Sequence, residues 1–134
     1  MRSLVAIIVA LGLVGTAAAT GPRIVGVGEQ KDGEHAKAHV GDTLVVSLGA
    51  NPSTGYSWKI ATAQRGMLRF DSSSYVKAAH APLIAGAPGV AVLIFKVVGR
   101  GKTTLKLNYV SAGTPKKVGK TFSVILSLLP RGAP

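Results

Sequence analysis

Apolar side chains recur at every second residue in one short run after another along this chain. Leu44, Val46 and Leu48 do so, then Leu105, Leu107 and Tyr109, then Phe122, Val124, Leu126 and Leu128. A period of two puts one set of side chains on one face of an extended strand, whereas a helix needs spacings of three and four. Glycine, proline and polar clusters interrupt the runs about every 8–12 residues, the rhythm of an antiparallel sandwich. The fold class that follows is all-β, a β-sandwich of about seven strands.

Individual runs carry more detail. Arg23–Val27 reads as an edge strand. From Glu34 to Val40 the chain alternates, with Ala36, Ala38 and Val40 facing in and His35, Lys37 and His39 facing out. Gly41-Asp42 reads as a two-residue hairpin turn into Thr43–Leu48, and Gly99-Arg100-Gly101 as a second tight hairpin. Ser72-Ser73-Ser74 reads as a polar break between Met67–Phe70 and Tyr75-Val76. Gly89–Phe95 is almost wholly apolar, as expected of a central strand covered on both faces.

The first nineteen residues stand apart. Arg2 begins them with a positive charge, Leu4–Gly15 is a short apolar run, and Ala17-Ala18-Ala19 satisfies the small-residue rule for cleavage. That run is too short to cross a bilayer. The expectation is a signal peptide over residues 1–19, a single domain over residues 20–134, and an exported protein that is periplasmic or secreted. Cysteine is absent, so a domain of this kind depends on its packed core rather than on disulfides. Loss of Arg2 lowers the formal charge from +11 by one, and the remaining cations are scattered singly or in pairs. This balance favours acidic proteins or anionic surfaces. With no basic tract and few aromatics, nucleic acid is not expected as a partner, nor is a membrane once the signal is removed. The mature chain is expected to be a monomer.

Enzyme chemistry finds no footing. The chain has no cysteine nucleophile, its three histidines have no evident partners, and its five acidic residues are dispersed without a carboxylate pair. His35 and His39 could be drawn as a metal pair, yet no further ligand is placed to complete a site, and a solvated strand face accounts for both. Gly101-Lys102-Thr103 ends like a phosphate-binding loop, but Lys96 stands where the motif needs its first glycine. No catalytic residue, cofactor or metal is therefore expected.

One stretch is built differently from the rest. Asn51-Pro52-Ser53-Thr54-Gly55-Tyr56-Ser57-Trp58 lies between two strand-like runs. Proline fixes its own φ and pushes the preceding residue out of the helical region. Asn51 can bond its own backbone two residues on, and Gly55 tolerates positive φ. Ser53 and Thr54 then occupy the tip of a turn with little freedom, while Tyr56 and Trp58 point to one side of the following strand. Trp58 is most simply a core anchor. Such a stiff loop loses little conformational entropy on docking to a partner.

These residues resemble the signature of the chagasin-type inhibitors of papain-like cysteine peptidases. In that family an immunoglobulin-like β-sandwich presents three loops at one end. The first carries Asn-Pro-x-Thr-Gly-aromatic and enters the enzyme's cleft, the second is glycine-rich, and the third carries Arg-Pro-aromatic. The resemblance implies that Asn51, Pro52, Ser53, Thr54, Gly55 and Tyr56 contact a papain-like cysteine peptidase. It places Gly86, Ala87, Pro88 and Gly89 at the second loop and Ser111, Ala112 and Gly113 at the third. Here the chain departs from the family pattern, with neither arginine nor aromatic between Val110 and Lys117. Reversible occlusion of the cleft is the implied activity. An exported adhesion or binding module, using the sandwich only as a scaffold, is the alternative that the altered third loop favours.

Overall fold

A computed structural model describes residues 21–77, 89–113 and 115–133. The expected signal peptide and the second-loop positions Gly86, Ala87 and Pro88 lie outside the described residues. Among the described residues there are eight strands: β1 (Ile24–Gly28), β2 (His35–His39), β3 (Thr43–Ala50), β4 (Tyr56–Thr62), β5 (Leu68–Lys77), β6 (Gly89–Val97), β7 (Gly101–Ser111) and β8 (Val118–Leu129). They form two four-stranded sheets, β1-β3-β6-β5 and β2-β8-β7-β4. The all-β sandwich expected from the alternation is what forms, with one strand more than the approximate count.

The core lies between the sheets and is made by the alternating residues. Leu44, Val46, Leu48, Leu93, Phe95 and Val97 come from the first sheet; Leu105, Leu107, Phe122, Val124, Leu126 and Leu128 come from the second. All are buried. This apolar interior supplies the stability that a cysteine-free domain must find without cross-links.

Among the eight described strands, five of the seven consecutive pairs have their members in different sheets. Two of them overturn expectations. Gly41-Asp42 is not a hairpin turn, because β2 pairs in parallel with β8 while β3 pairs with β1 and β6. It is instead a corner tied together by Asp42, which is only 2% exposed. The Asp42 carboxylate accepts the backbone N–H groups of Arg23 at 3.0 Å and His39 at 2.9 Å. The Asp42 carbonyl accepts the N–H of Val97, and the N–H of Gly41 donates to the Val97 carbonyl. One short acidic side chain thereby joins the start of β1 to the end of β2, and the backbone around it reaches the end of β6. Gly99-Arg100-Gly101 likewise carries the chain from β6 in one sheet to β7 in the other and is no hairpin.

Two further strands differ from their reading. β5 runs unbroken through Ser72-Ser73-Ser74, because β6 supplies a ladder partner to each of these serines. Its polar, exposed sequence is that of a sheet edge, with a register shift between Phe70 and Ser72. β6 is central, as expected, but among the described residues only one of its faces is fully buried. Leu93, Phe95 and Val97 are buried, whereas Val90 is exposed and Val92 and Ile94 are half-buried on the outer surface. The outward histidine His39 bonds through Nε2 to the Ala133 carbonyl at 2.6 Å, fastening the chain's end to β2.

Candidate functional site

The loop between β3 and β4 is set by its own residues. Asn51 sits at φ −140° and ψ 92°, the extended region left to a residue before proline. Residues Pro52–Thr54 make one 3₁₀ turn, and Gly55 closes it at φ 79°, a left-handed conformation that glycine adopts without a Cβ penalty. Asn51 Oδ1 accepts from the Ser53 N–H at 3.3 Å, the two-residue bond anticipated from the sequence. The Ser53 hydroxyl also donates to Asn51 Oδ1 at 2.7 Å, and the Thr54 hydroxyl donates to the Asn51 carbonyl at 2.7 Å. Both hydroxyl protons are thus spent inside the loop. The tip offers a partner compact shape and oxygen lone pairs, and neither hydroxyl is paired with a base that would make it a nucleophile.

The base of the loop is held by residues distant in the chain. The Trp58 indole N–H donates to the Gly49 carbonyl at 3.0 Å, and Glu29 Oε1 accepts the Gly49 N–H. The Tyr109 hydroxyl accepts the Asn51 N–H at 2.7 Å. Beneath the loop the rings of Tyr56 and Tyr109 stack at 5.4 Å, and those of Trp58 and Tyr109 lie 4.9 Å apart. Such ring pairs add to the stabilisation from buried area. Trp58 is the core anchor expected; Tyr109 and Glu29 went unrecognised as supports. The only signal for Tyr109 was its place at the end of an alternating run, just before the third loop.

Strand register gathers the segments at one end of the sandwich. Ala50, the residue before the loop, pairs with Gly89, and Tyr56, the first after it, pairs with Ser111. Gly89 itself is a buried strand residue, not an open loop position. A Cβ there would collide with the Val76 carbonyl and the Tyr75 ring, so its missing side chain serves strand packing. The third segment is joined to the first directly, since the Ala112 N–H donates to the Gly55 carbonyl at 2.8 Å. Ser111 closes the third loop on itself: its N–H donates to the Lys117 carbonyl and its hydroxyl accepts the Lys117 N–H at 2.9 Å. Ala112 and Gly113 are exposed beside the tip.

The chagasin family peptidase inhibitor I42 model matches residues 37–126, which is more than half of the chain. The chain belongs to the chagasin family of peptidase inhibitors. The matched span contains the whole of the 51–56 loop and both companion segments. As a chagasin-family member the protein is an inhibitor and not an enzyme, as the motif and the lack of catalytic groups led one to expect. Amoebiasin-2 of Entamoeba histolytica is 31% identical over 102 residues, covering 69% of this chain and 79% of that protein. Among solved structures, the cysteine protease inhibitor EhICP2 of Entamoeba histolytica superposes with a TM-score of 0.62 at 23% identity, over 80% of this chain and 96% of that one. Amebosin gives a TM-score of 0.60 at 22% identity, over 81% of this chain and 99% of that one. These two likenesses show the immunoglobulin-like sandwich of the family.

The Tyr109 hydroxyl can be tested without disturbing the rings around it. Tyr109→Phe keeps the stacking and strands the Asn51 N–H without its acceptor. A bond of this kind contributes about 1 kcal/mol, so the melting temperature is expected to fall by on the order of 4 °C and inhibition to weaken by up to about fivefold as the loop base loosens. Parallel inhibition and thermal melts check this; an unchanged inhibition constant would show that the loop holds its shape without Tyr109.

Proposed function

We propose that this chagasin-family member is a reversible inhibitor of papain-like cysteine peptidases, and that the 51–56 loop occludes the catalytic cleft. The observation that supports this reading most is the self-satisfied loop. Its turn is closed by Asn51, Thr54 and Gly55, its base is held by Trp58 and Tyr109, and its tip is exposed. A segment already in one shape gives up little entropy on binding. Ser53 and Thr54 would lie against the catalytic cysteine and histidine of the enzyme, with Gly55 allowing close backbone approach. Ala112, Gly113 and the second-loop residues would flank it, completing an interface of roughly 800 Å² per partner. The loop backbone is closed into a 3₁₀ turn by Asn51 and Gly55 rather than extended as a cleavable substrate would be, so occlusion without cleavage is the expected mode. EhICP2 is itself described as a cysteine protease inhibitor, in keeping with this choice of target.

The decisive experiment is a papain inhibition assay with the purified chain beginning at residue 20. Competitive inhibition with activity regained on dilution is the expected result; full papain activity at micromolar protein would overturn the reading. No helix among the described residues is long and apolar enough to cross a membrane. We further propose that the protein is exported to the periplasm or the medium, with residues 1–19 as its leader. N-terminal sequencing of the exported protein should then begin at Thr20, and recovery of Met1 would refute it.

A further inference from the structure

The third loop lacks the arginine and the aromatic of its family, yet it is not featureless. Lys116 and Lys117 stand exposed where those anchors would be expected. Lys117 is held by its backbone, because both its N–H and its carbonyl bond to Ser111. Ser111 is in turn the strand partner of Tyr56, and its neighbour Ala112 bonds to Gly55. The Lys117 cation is therefore carried on backbone rigidly tied to the wedge. A third cation lies close by. Lys120 Nζ sits 5.1 Å from the Tyr109 ring centre and 5.6 Å from that of Trp58, above the aromatic platform beneath the loop. Among the described residues the ion pairs are His39–Asp42 and Arg69–Asp71, so none of these three lysines is neutralised by a carboxylate. Glu29, the acidic side chain seen at the base of the loop, is committed to the Gly49 N–H.

We infer that Lys116, Lys117 and Lys120 form an electrostatic docking surface, and that the peptidase it fits carries carboxylates on the rim beside its catalytic cleft. This rests on the reading of the 51–56 loop as the occluding wedge. Desolvated anchors act mainly on dissociation, whereas exposed charges act mainly on encounter, and salt screens the latter. The two loops thus divide the work: the wedge sets how long the complex lasts, and the lysines set how fast and with which peptidase it forms. An extended polyanion is a poorer occupant, because the rings beside these lysines, Trp58 and Tyr109, are buried in the sandwich and do not offer a face for bases or sugars to stack on.

The test measures association and dissociation rates separately with two papain-like peptidases, one of low and one of high isoelectric point. The parent is compared with Lys116→Glu/Lys117→Glu at about 0.02 M and about 0.5 M salt, where the screening length falls from about 20 Å to about 4 Å. Toward the acidic enzyme the double variant is expected to associate at least about tenfold more slowly at low salt, with dissociation changed less than about twofold, and to match the parent at high salt. Lys37→Glu/Lys102→Glu makes the same change in net charge at the opposite end of the second sheet, where both residues flank Ser127. It is expected to associate nearly as fast as the parent. Equal slowing by both pairs would reduce the effect to net charge and overturn the local surface, as would an unchanged rate for the first pair. Equal parental association with the two enzymes would overturn the acidic rim. Thr54→Trp reports on the wedge alone: faster dissociation at both salt concentrations keeps that reading whatever the lysines do. Absence of inhibition by the parent overturns the wedge and this proposal together.

Discussion

Thr54→Trp should leave the sandwich folded and raise the inhibition constant toward a papain-like peptidase by at least about tenfold, or roughly 1.4 kcal/mol. Thr54 is exposed at the tip, and its side chain bonds only to the Asn51 carbonyl, one turn of chain away. The core residues that support the sheets are untouched, so the melting temperature should move by little. A large ring at the tip must instead be fitted into a narrow catalytic cleft. Thr54→Ala serves as the companion, since it removes the same hydroxyl bond without adding bulk. It should cost only the few-fold expected of an exposed hydrogen bond. The competing account is charge steering by a strongly basic protein, in which binding collapses with salt whatever stands at position 54. A Thr54→Trp defect that persists at high salt, with Thr54→Ala near the parent, supports the wedge. A folded Thr54→Trp protein that inhibits as the parent does would remove it.

The largest loss of stability is expected far from that loop, at Asp42. Its buried carboxylate satisfies the N–H groups of Arg23 and His39, and the corner it holds joins β1, β2 and β6. Asp42→Ala leaves both donors without their acceptor. At about 1–3 kcal/mol for each stranded group, the expected cost is about 3 kcal/mol. For a domain of this length that corresponds to a melting temperature lower by on the order of 10 °C. Asp42→Asn retains one acceptor oxygen and should recover about half of the loss. Because the wedge lies at the other end of the sandwich, inhibition below the transition should be unchanged in both variants. A melt of Asp42→Ala within about 2 °C of the parent would mean that water replaces the carboxylate at this corner.

The separation between these two sites mirrors what could be read along the chain. Local interactions were legible. The bonds that shape the loop run from Asn51 to residues two and three positions on, and the φ preferences of Pro52 and Gly55 belong to those residues alone. The period-two runs were equally plain, because a strand buried on one face writes its pattern into its own side chains. Leu44, Val46 and Leu48, or Phe122, Val124, Leu126 and Leu128, are buried as their spacing required.

Pairing was not legible, because a strand's ladder partners can come from anywhere in the chain. Gly41-Asp42 and Gly99–Gly101 have the composition of hairpin turns, and turn residues report backbone angles rather than the sheet that the next strand joins. Ser72-Ser73-Ser74 belongs to β5 only because β6 pairs with it. The nearly continuous apolar sequence of β6 could not show that one of its faces would be only partly buried. Near the candidate site the same limit applied to Tyr109 and Glu29, whose contacts with the loop base span 58 and 20 residues. The order of residues was enough to shape the wedge and to mark the core. Its seat on Trp58 and Tyr109, its coupling to Lys117 through Ser111, and the corner closed by Asp42 came only with tertiary pairing, which brings polar groups together across lengths of chain that local preference does not reach.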